Sequence, residues 1–526
     1  MNKFIERFSP GIKGVLCGLD RLVLRGSLRQ VRHISGMMNY LWAKQVLLKN
    51  FGGHVAQVSE QVKDASLKVA KEQNRPIQYL PSSRVSKEEV ARKIAAQDGV
   101  REGLVCVLSS VEPCKSFEVH RNAAIKKLEL VSSIRKCLHL YFYWMHPRWG
   151  FMQARIQTWF PFSIQICLNG REWLARQMDQ AGIGYRKYDN CFGWIEDYQR
   201  AQALMDDQLR VNWPQVLNEV AVQLNPLHAE IFAGYPADYY WSAYQSEWAM
   251  DVTFADPEQL RRLFPRLVQL GMTSFFSPDI LRFLSKKVTA SGQVPAWVSQ
   301  QVTTDMRRRT EGVRIKHSLG QNSLKAYDKL YTLDAGVLRL ESTINRPEMF
   351  LVYRPKQGDP QGEPAWRTMR RGVADLYRRT EVAQKCLNRY ADALASVDDT
   401  TTLRELTQRL ERRVQWNGRS VRALHPFAPD DRALLEAVNH GEFTIHGLRN
   451  RDLQKLLYGA PATSPQEARR RSSAVSRKLR MLRAHGLIQK LPHTHRYQVT
   501  EQGRLILNGI LMAANATLSQ LTQKAA

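Results

Sequence analysis

The chain has 526 residues, too many for one compact core, with 44% hydrophobic and 24% charged residues, the balance of an ordinary globular protein. Lys and Arg number 77 against 49 Asp and Glu, a formal net charge of +28 that repels itself unless a polyanion is near, so nucleic acid leads the expected partners and a merely basic enzyme is the bland alternative. No run reaches the roughly 18 apolar residues of a membrane span, the opening MNKFIERFSPGIKG lacks the apolar core of a signal peptide, and seven scattered cysteines contain no CxxC, which argues against membrane and disulfide-stapled classes and for a reduced, cytoplasmic protein.

Residues 11–34 read as one strand or two, mixing Asp20, Arg21, Arg25 and Arg29 into apolar context. Asp20 is either a metal carboxylate or an ion-pair partner of Arg21 or Arg25, and pairing is the more ordinary role. Over 85–99, Ser86 followed three residues later by Glu89 predicts a capped helix. GLVCVLSSVEP then reads as a buried strand. From 137 to 195 the alternating runs CLHLYFYWM and FMQARIQTWF flank an HPRWG turn. FSIQICL adds a third strand, and NGREWLARQMDQAGIG a helix closed by Gly182 and Gly184. EWAMDVTFAD and PEQLRRLFPRLVQLGM repeat the strand–helix order, with Pro257 near the first turn. Residues 287–311 and 355–366 read as polar connections, and 370–395 as helix.

Between those connections lies NSLKAYDKLYTLDAGVLRLESTIN. Strand alternation puts Lys325, Tyr327 and Lys329 on one face and Arg339, Glu341 and Thr343 on the facing strand. Three uses are open: a phosphate-binding face offering Lys325 and Arg339, ordinary cross-strand ion pairing, or a catalytic set. In the last, Tyr327 is the nucleophile, Lys329 a charge-neutralising neighbour and Glu341 a carboxylate able to hold Mg²⁺. The metal candidates are Asp20, Asp251 and Glu341. In the 137–160 block, Tyr141 and Tyr143 share one face, as do Arg155 and Trp159. If those faces coincide they form a stacking surface for single strands, against the alternative that strand aromatics serve packing.

From 431 the order is helix, helix, a third helix over SPQEARRRSSAVSRKLRMLRAHG, and two short strands around PHTH. Ser464 is the expected N-cap, with Pro465 at the first helical position and Glu467 two residues further in. Val475, Leu479 and Leu482 form the buried stripe, and Arg469, Arg470, Arg471, Ser473, Arg477, Lys478 and Arg480 form the nucleic-acid-contacting side. His493 and His495 have HxH spacing without supporting acids and read as groove-edge residues.

This closing pattern (a basic helix, LRAHGLI, a turn and YQVTEQG) resembles the winged-helix domains of MarR-like regulators. The KAYDK…LRLE segment resembles part of the rolling-circle replication initiators of phages and plasmids, which implies phosphodiester chemistry; the chain departs from that pattern in having no His-hydrophobe-His metal motif. LDRLVLRGSL, FMQARIQTWFPFSIQICLNGREWLARQMDQAGIGY, YYWSAYQSEWAMD and KHSLGQNSLKAYDK, with the closing domain, are similar to a family of bacterial proteins of unknown activity described as hypothetical or MarR-like. The expected fold class is therefore α+β and multidomain. It has an antiparallel or mixed sheet body with helices on one side, plus a C-terminal winged-helix domain. The expected segments are an N-terminal α/β region (1–130), a sheet domain (131–285), a hairpin-bearing continuation (286–395), a linker (396–430) and the winged helix (431–526). The expected function is binding of DNA or RNA by a mobile-element or replication-type protein. The alternatives are a Mg²⁺-assisted nuclease or strand-transferase using Tyr327, and a DNA-binding regulator.

Overall fold

The computed structural model describes residues 2–82, 84–275, 277–284, 301–309, 312–329, 335–356, 358–359, 361–397, 403–439, 443, 447–492 and 494–515. In chain order the elements begin with α1 (Lys3–Phe8), β1 (Ile12–Leu28), α2 (Ile34–Ala43), α3 (Phe51–Glu72), β2 (Ile77–Tyr79), α4 (Lys87–Gln97), β3 (Gly103–Asn122), β4 (Lys127–His146), β5 (Gly150–Gln157) and β6 (Ile164–Asn169). There follow α5 (Gly170–Ala181), β7 (Tyr185–Tyr188), β8 (Cys191–Ile195), α6 (Tyr198–Asp206), α7 (Trp213–Leu224), α8 (His228–Ile231), β9 (Tyr239–Phe254), α9 (Pro257–Thr273) and α10 (Ser277–Phe283). Then come β10 (Val302–Arg309), β11 (Gly312–Leu319), β12 (Asn322–Lys329), β13 (Val337–Ile344), β14 (Leu351–Arg354), β15 (Ala365–Thr368), α11 (Leu376–Leu394) and α12 (Leu403–Gln408). The chain closes with β16 (Val414–Trp416), β17 (Arg419–Val421), α13 (Pro429–Val438), α14 (Asn450–Tyr458), α15 (Pro465–Ala484), β18 (Ile488–Lys490), β19 (Tyr497–Val499) and α16 (Glu501–Asn515).

The chain divides into two compact units: residues 1–265, 305–316 and 321–391 in one, and 266–304, 317–320 and 392–526 in the other. The expected boundaries near 130 and 285 therefore do not separate compact units. Most of an eleven-stranded sheet, in the order β10-β11-β12-β13-β9-β1-β6-β5-β4-β3-β2, belongs to the first unit. Its β2–β3 pair is parallel, while β3–β6, β1, β9, β13 and β12 pair antiparallel in turn. Residues 302–309, read as connection, are strand β10.

One sheet face is continuously apolar. Leu22, Leu24, Leu168, Ile166, Ile164, Ala154, Ile156, Phe142 and Leu140 meet there by cross-strand register and are all buried. The α3 and α7 helices supply Val55, Val58, Val62, Leu217 and Val220 to the core, and the Trp241 indole on that face donates to Asn218 of α7 at 2.7 Å. The helices are not confined to one side, as the sequence suggested. Across the sheet, α4 sets Ala91, Val90 and Ile94 against Cys106, Leu108, Tyr141, Tyr143 and Phe151. There too α5 starts against β1: a Cβ on Gly170 would lie 1.9 Å from the Leu19 carbonyl oxygen, so only glycine allows this approach. The ends of α5 follow local chemistry, with the Asn169 side chain accepting from the Arg171 and Glu172 amides and Gly182 adopting φ 65° at the C-terminus.

Among the described residues, the second unit contains the five helices and two ribbons of the C-terminal region. Ser464 caps α15 by accepting from the Glu467 amide, and Val475, Leu479 and Leu482 are buried as the spacing required. β18 and β19 form an antiparallel ribbon after α15. The stretch read as linker carries a second ribbon, β16–β17, turned by Asn417 and Gly418, both at positive φ, the backbone that Asn-Gly favours in two-residue hairpins.

Candidate functional site

The first unit gathers its acidic residues at a bulge in β1. Leu19 pairs with Trp248 and Leu22 with Ser246, so Asp20 and Arg21 together oppose the single residue Glu247. Such an insertion turns both extra side chains away from the core leucines. Glu341 of β13, whose neighbour Thr343 is in register with Glu247, completes a trio. Carboxylate oxygens of Asp20, Glu247 and Glu341 all lie within 4.8 Å of one another.

Cations hold this group in place. Arg339, fully buried, donates to Asp251 at 2.6 and 2.9 Å, to Asp20 at 3.1 Å and to the Asn190 carbonyl at 2.5 Å. Arg171, delivered by the start of α5, donates to Asp251 at 2.9 Å and to the carbonyls of Leu19 and Ala249. The Asn190 amide donates to both Asp20 oxygens at 2.9 and 3.1 Å. Lys325 is paired to Glu341 and stands 3.7 Å from Glu247, and Thr343 donates to Glu341 at 3.1 Å.

The electrostatic outcome differs among the carboxylates. Burial pushes Asp251 upward, but Arg339 and Arg171 outweigh it and hold it below its ordinary value. Glu341 is also held low against burial, by Lys325 first. Asp20 ends raised, because burial outweighs Arg339 and Arg171. Glu247 is pushed to about 7 by burial and by the negative charge of Glu341, with Lys325 only partly offsetting. The cluster thus carries one carboxylate more than its cations neutralise comfortably, and an oxygen-ligand cation such as Mg²⁺ would suit that excess.

The hairpin has the expected faces: Lys325 pairs with Glu341 and Tyr327 with Arg339, while the turn at 330–334 lies outside the described residues. Its charges are buried, however. Arg339 is locked between Asp20 and Asp251 and is closed to phosphate, and Asp251, whose oxygens accept from two arginines, lies outside the carboxylate group that could hold an ion. Glu247, four residues before Asp251 on the same strand face, takes that place; the i, i+4 spacing in a strand was the available signal. The Asp20 partner is Arg339, not Arg21 or Arg25. Tyr327 is 5% exposed, and burial with the nearby Glu341 charge pushes its hydroxyl up to about 12. Lys329 is buried, its amine 5.6 Å from the Tyr327 ring centroid.

In the 137–160 block, Tyr141 and Tyr143 are 8% and 4% exposed beneath α4, so neither ring is open to a stacking base. Arg155 is half-buried and pairs with Glu112 at 3.1 Å. Trp159 is half-buried with the Arg135 guanidinium 4.0 Å from its ring centroid. In the second unit Arg469, Arg470, Ser473, Arg477 and Arg480 are exposed on α15 and Lys478 is half-buried. Arg471 is tied to Glu467 at 2.6 Å and to the Ala460 carbonyl at 2.7 Å, and it covers the Tyr458 ring. His495 is exposed, and His493 lies outside the described residues. Comparison with protein-family models, with curated proteins and with solved structures returned no match.

Proposed function

We propose that the chain binds nucleic acid through its second unit, with α13, α14, α15 and the β18–β19 ribbon acting as a winged-helix module. The carrying observation is the exposed side of α15. Gln466, Arg469, Arg470, Ser473, Ser476, Arg477 and Arg480 are all exposed and recur at helical spacing. That face of a 20-residue helix offers four guanidinium groups, Arg469 to Arg480, to phosphates or guanine edges over about 16 Å. The role proposed for that binding is of the replication or mobile-element type, and the net charge of +28 favours a polyanionic partner.

The test is the salt dependence of binding to duplex DNA and to structured RNA. Replacing Arg469, Arg470 and Arg477 by Ala is expected to flatten the slope of log affinity against log salt by about 2–3, near 0.9 per lost phosphate contact. An unchanged slope removes α15 from the interface.

A second reading, phosphodiester cleavage assisted by a divalent cation, is favoured by the grouping of Asp20, Glu247 and Glu341. In that reading these three would hold Mg²⁺, and Arg21, exposed beside them, would meet the phosphate. Tyr327 as nucleophile has to surrender a proton held up near 12. Mg²⁺-dependent nicking lost in Glu341→Gln supports the cation site, and nicking retained in Tyr327→Phe removes the tyrosine from the chemistry.

A further inference from the structure

A recess of about 560 Å³ opens on the first unit between the end of β1, the β3–β4 ribbon and β5. Its wall carries Arg25, Arg32, Lys115 and Arg155 and contains no Asp or Glu. Among the described residues no carboxylate pairs with Arg25, Arg32 or Lys115; Arg155 alone has one, Glu112. The mutual repulsion is legible in Arg25, whose guanidinium is held below its ordinary value by burial and then by Arg32 and Arg155. Two serines on the same wall, Ser116 and Ser133, sit directly opposite each other across β3 and β4. Both hydroxyls are buried and neither has a hydrogen-bond partner; Ser116 is 4% exposed. Unsatisfied buried hydroxyls beside unpaired cations are costly in a fold unless a ligand completes them.

We infer that this recess binds a phosphomonoester, presented by a free nucleotide or by the 5′ end of a strand. A monoester carries nearly two negative charges at pH 7 and three acceptor oxygens, enough for two hydroxyl donors and the Arg25 and Arg32 guanidinium groups together. A diester within a strand carries one charge and leaves part of that set unmatched. The volume admits an attached nucleoside. Arg25 lies five residues beyond Asp20 along β1, about 16 Å at strand rise, so the recess is a separate site from the carboxylate cluster. Only the strand-end source rests on the nucleic-acid reading above; binding of a free nucleotide does not.

The experiment compares 3′-labelled single strands bearing a 5′-phosphate or a 5′-hydroxyl, with adenosine monophosphate and inorganic phosphate as competitors and as direct calorimetric ligands. The 5′-phosphate is expected to bind roughly tenfold or more tighter, the increment of a charge-assisted contact. Arg25→Gln and the double substitution Ser116→Ala, Ser133→Ala are expected to bring that ratio to one. The serine variant should melt no lower than wild type, since it removes groups that lack partners, and a merely structural role for those serines would lower it. Tight binding of the monophosphate with no binding of either strand supports the recess and defeats the nucleic-acid reading. Equal affinity for both strands, with no binding of monophosphate or phosphate, overturns the recess whatever the strands themselves do.

Discussion

Glu247→Gln isolates the excess charge of the carboxylate cluster. The native carboxyl titrates near 7 against an ordinary 4.5, and moving a titration midpoint by one pH unit takes about 1.4 kcal/mol. Ionising Glu247 inside the fold therefore costs about 3 kcal/mol relative to the unfolded chain. Because the folded form holds its proton more tightly, wild-type stability falls as pH rises from about 4.5 to about 7 and then levels. Glutamine keeps the shape and the hydrogen bonding to Gln245 without the charge. Its advantage over wild type should grow by about 2–3 kcal/mol between pH 5 and pH 8. For a unit of about 350 residues that is a widening of roughly 3–4 °C in melting temperature, read by thermal unfolding in matched buffers at both pH values. Mn²⁺ should narrow the gap at pH 8 by stabilising wild type alone, and by less at pH 5, where a proton competes for the same oxygen. A melting difference that is the same at pH 5 and pH 8 refutes the like-charge argument, because Glu247 would then not be titrating in that window.

Arg339→Met leaves Asp20 and Asp251 facing each other with Arg171 as their remaining arginine, and should cost about 3–5 kcal/mol, measured as loss of the chemical-denaturation midpoint. Asp251→Asn should cost less, since an amide still accepts from both arginines. Gly170→Ala forces a methyl against the Leu19 carbonyl and should lower the melting temperature of the first unit more than Gly53→Ala, where nothing lies within 4 Å. Ser464→Ala removes the α15 cap and should cost about 1 kcal/mol of second-unit stability, seen as earlier amide exchange at the start of that helix.

What could be read from the sequence was what local chemistry decides. The Ser86 cap of α4, the Ser464 cap of α15 and the Gly182 end of α5 each depend on a handful of neighbouring residues, and each formed as the pattern required. Alternation likewise assigned Lys325, Tyr327 and Lys329 to one face of β12 and Arg339, Glu341 and Thr343 to one face of β13, and the register pairs those two sets. Burial of those faces was not legible. Lys325, Arg339 and Glu341 have the composition of a solvated surface, and Arg339 lies inside because Asp20 and Asp251 reach it from 319 and 88 residues away in the chain. Tyr141 and Tyr143 were open on the sheet in any strand-by-strand reading, and α4, encoded some fifty residues earlier, covers them. The grouping of Asp20 with Glu247 depends on a bulge, and an irregular rung has no signature in hydropathy.

That bulge has a genetic reading. A regular strand contributes one side chain per rung, on alternating faces, so the rung opposite Glu247 would have to be either acidic or basic. The additional residue lets β1 supply both: Asp20, turned inward to Arg339 and Asn190, and Arg21, exposed and still in register with Asn169 of β6. The unit of variation at this position is thus a codon gained or lost. An in-frame deletion of Arg21 would restore plain pairing on either side and strip the guanidinium while leaving every neighbouring rung its partner. Substitution of the same residue would keep the kink and change only the group it carries.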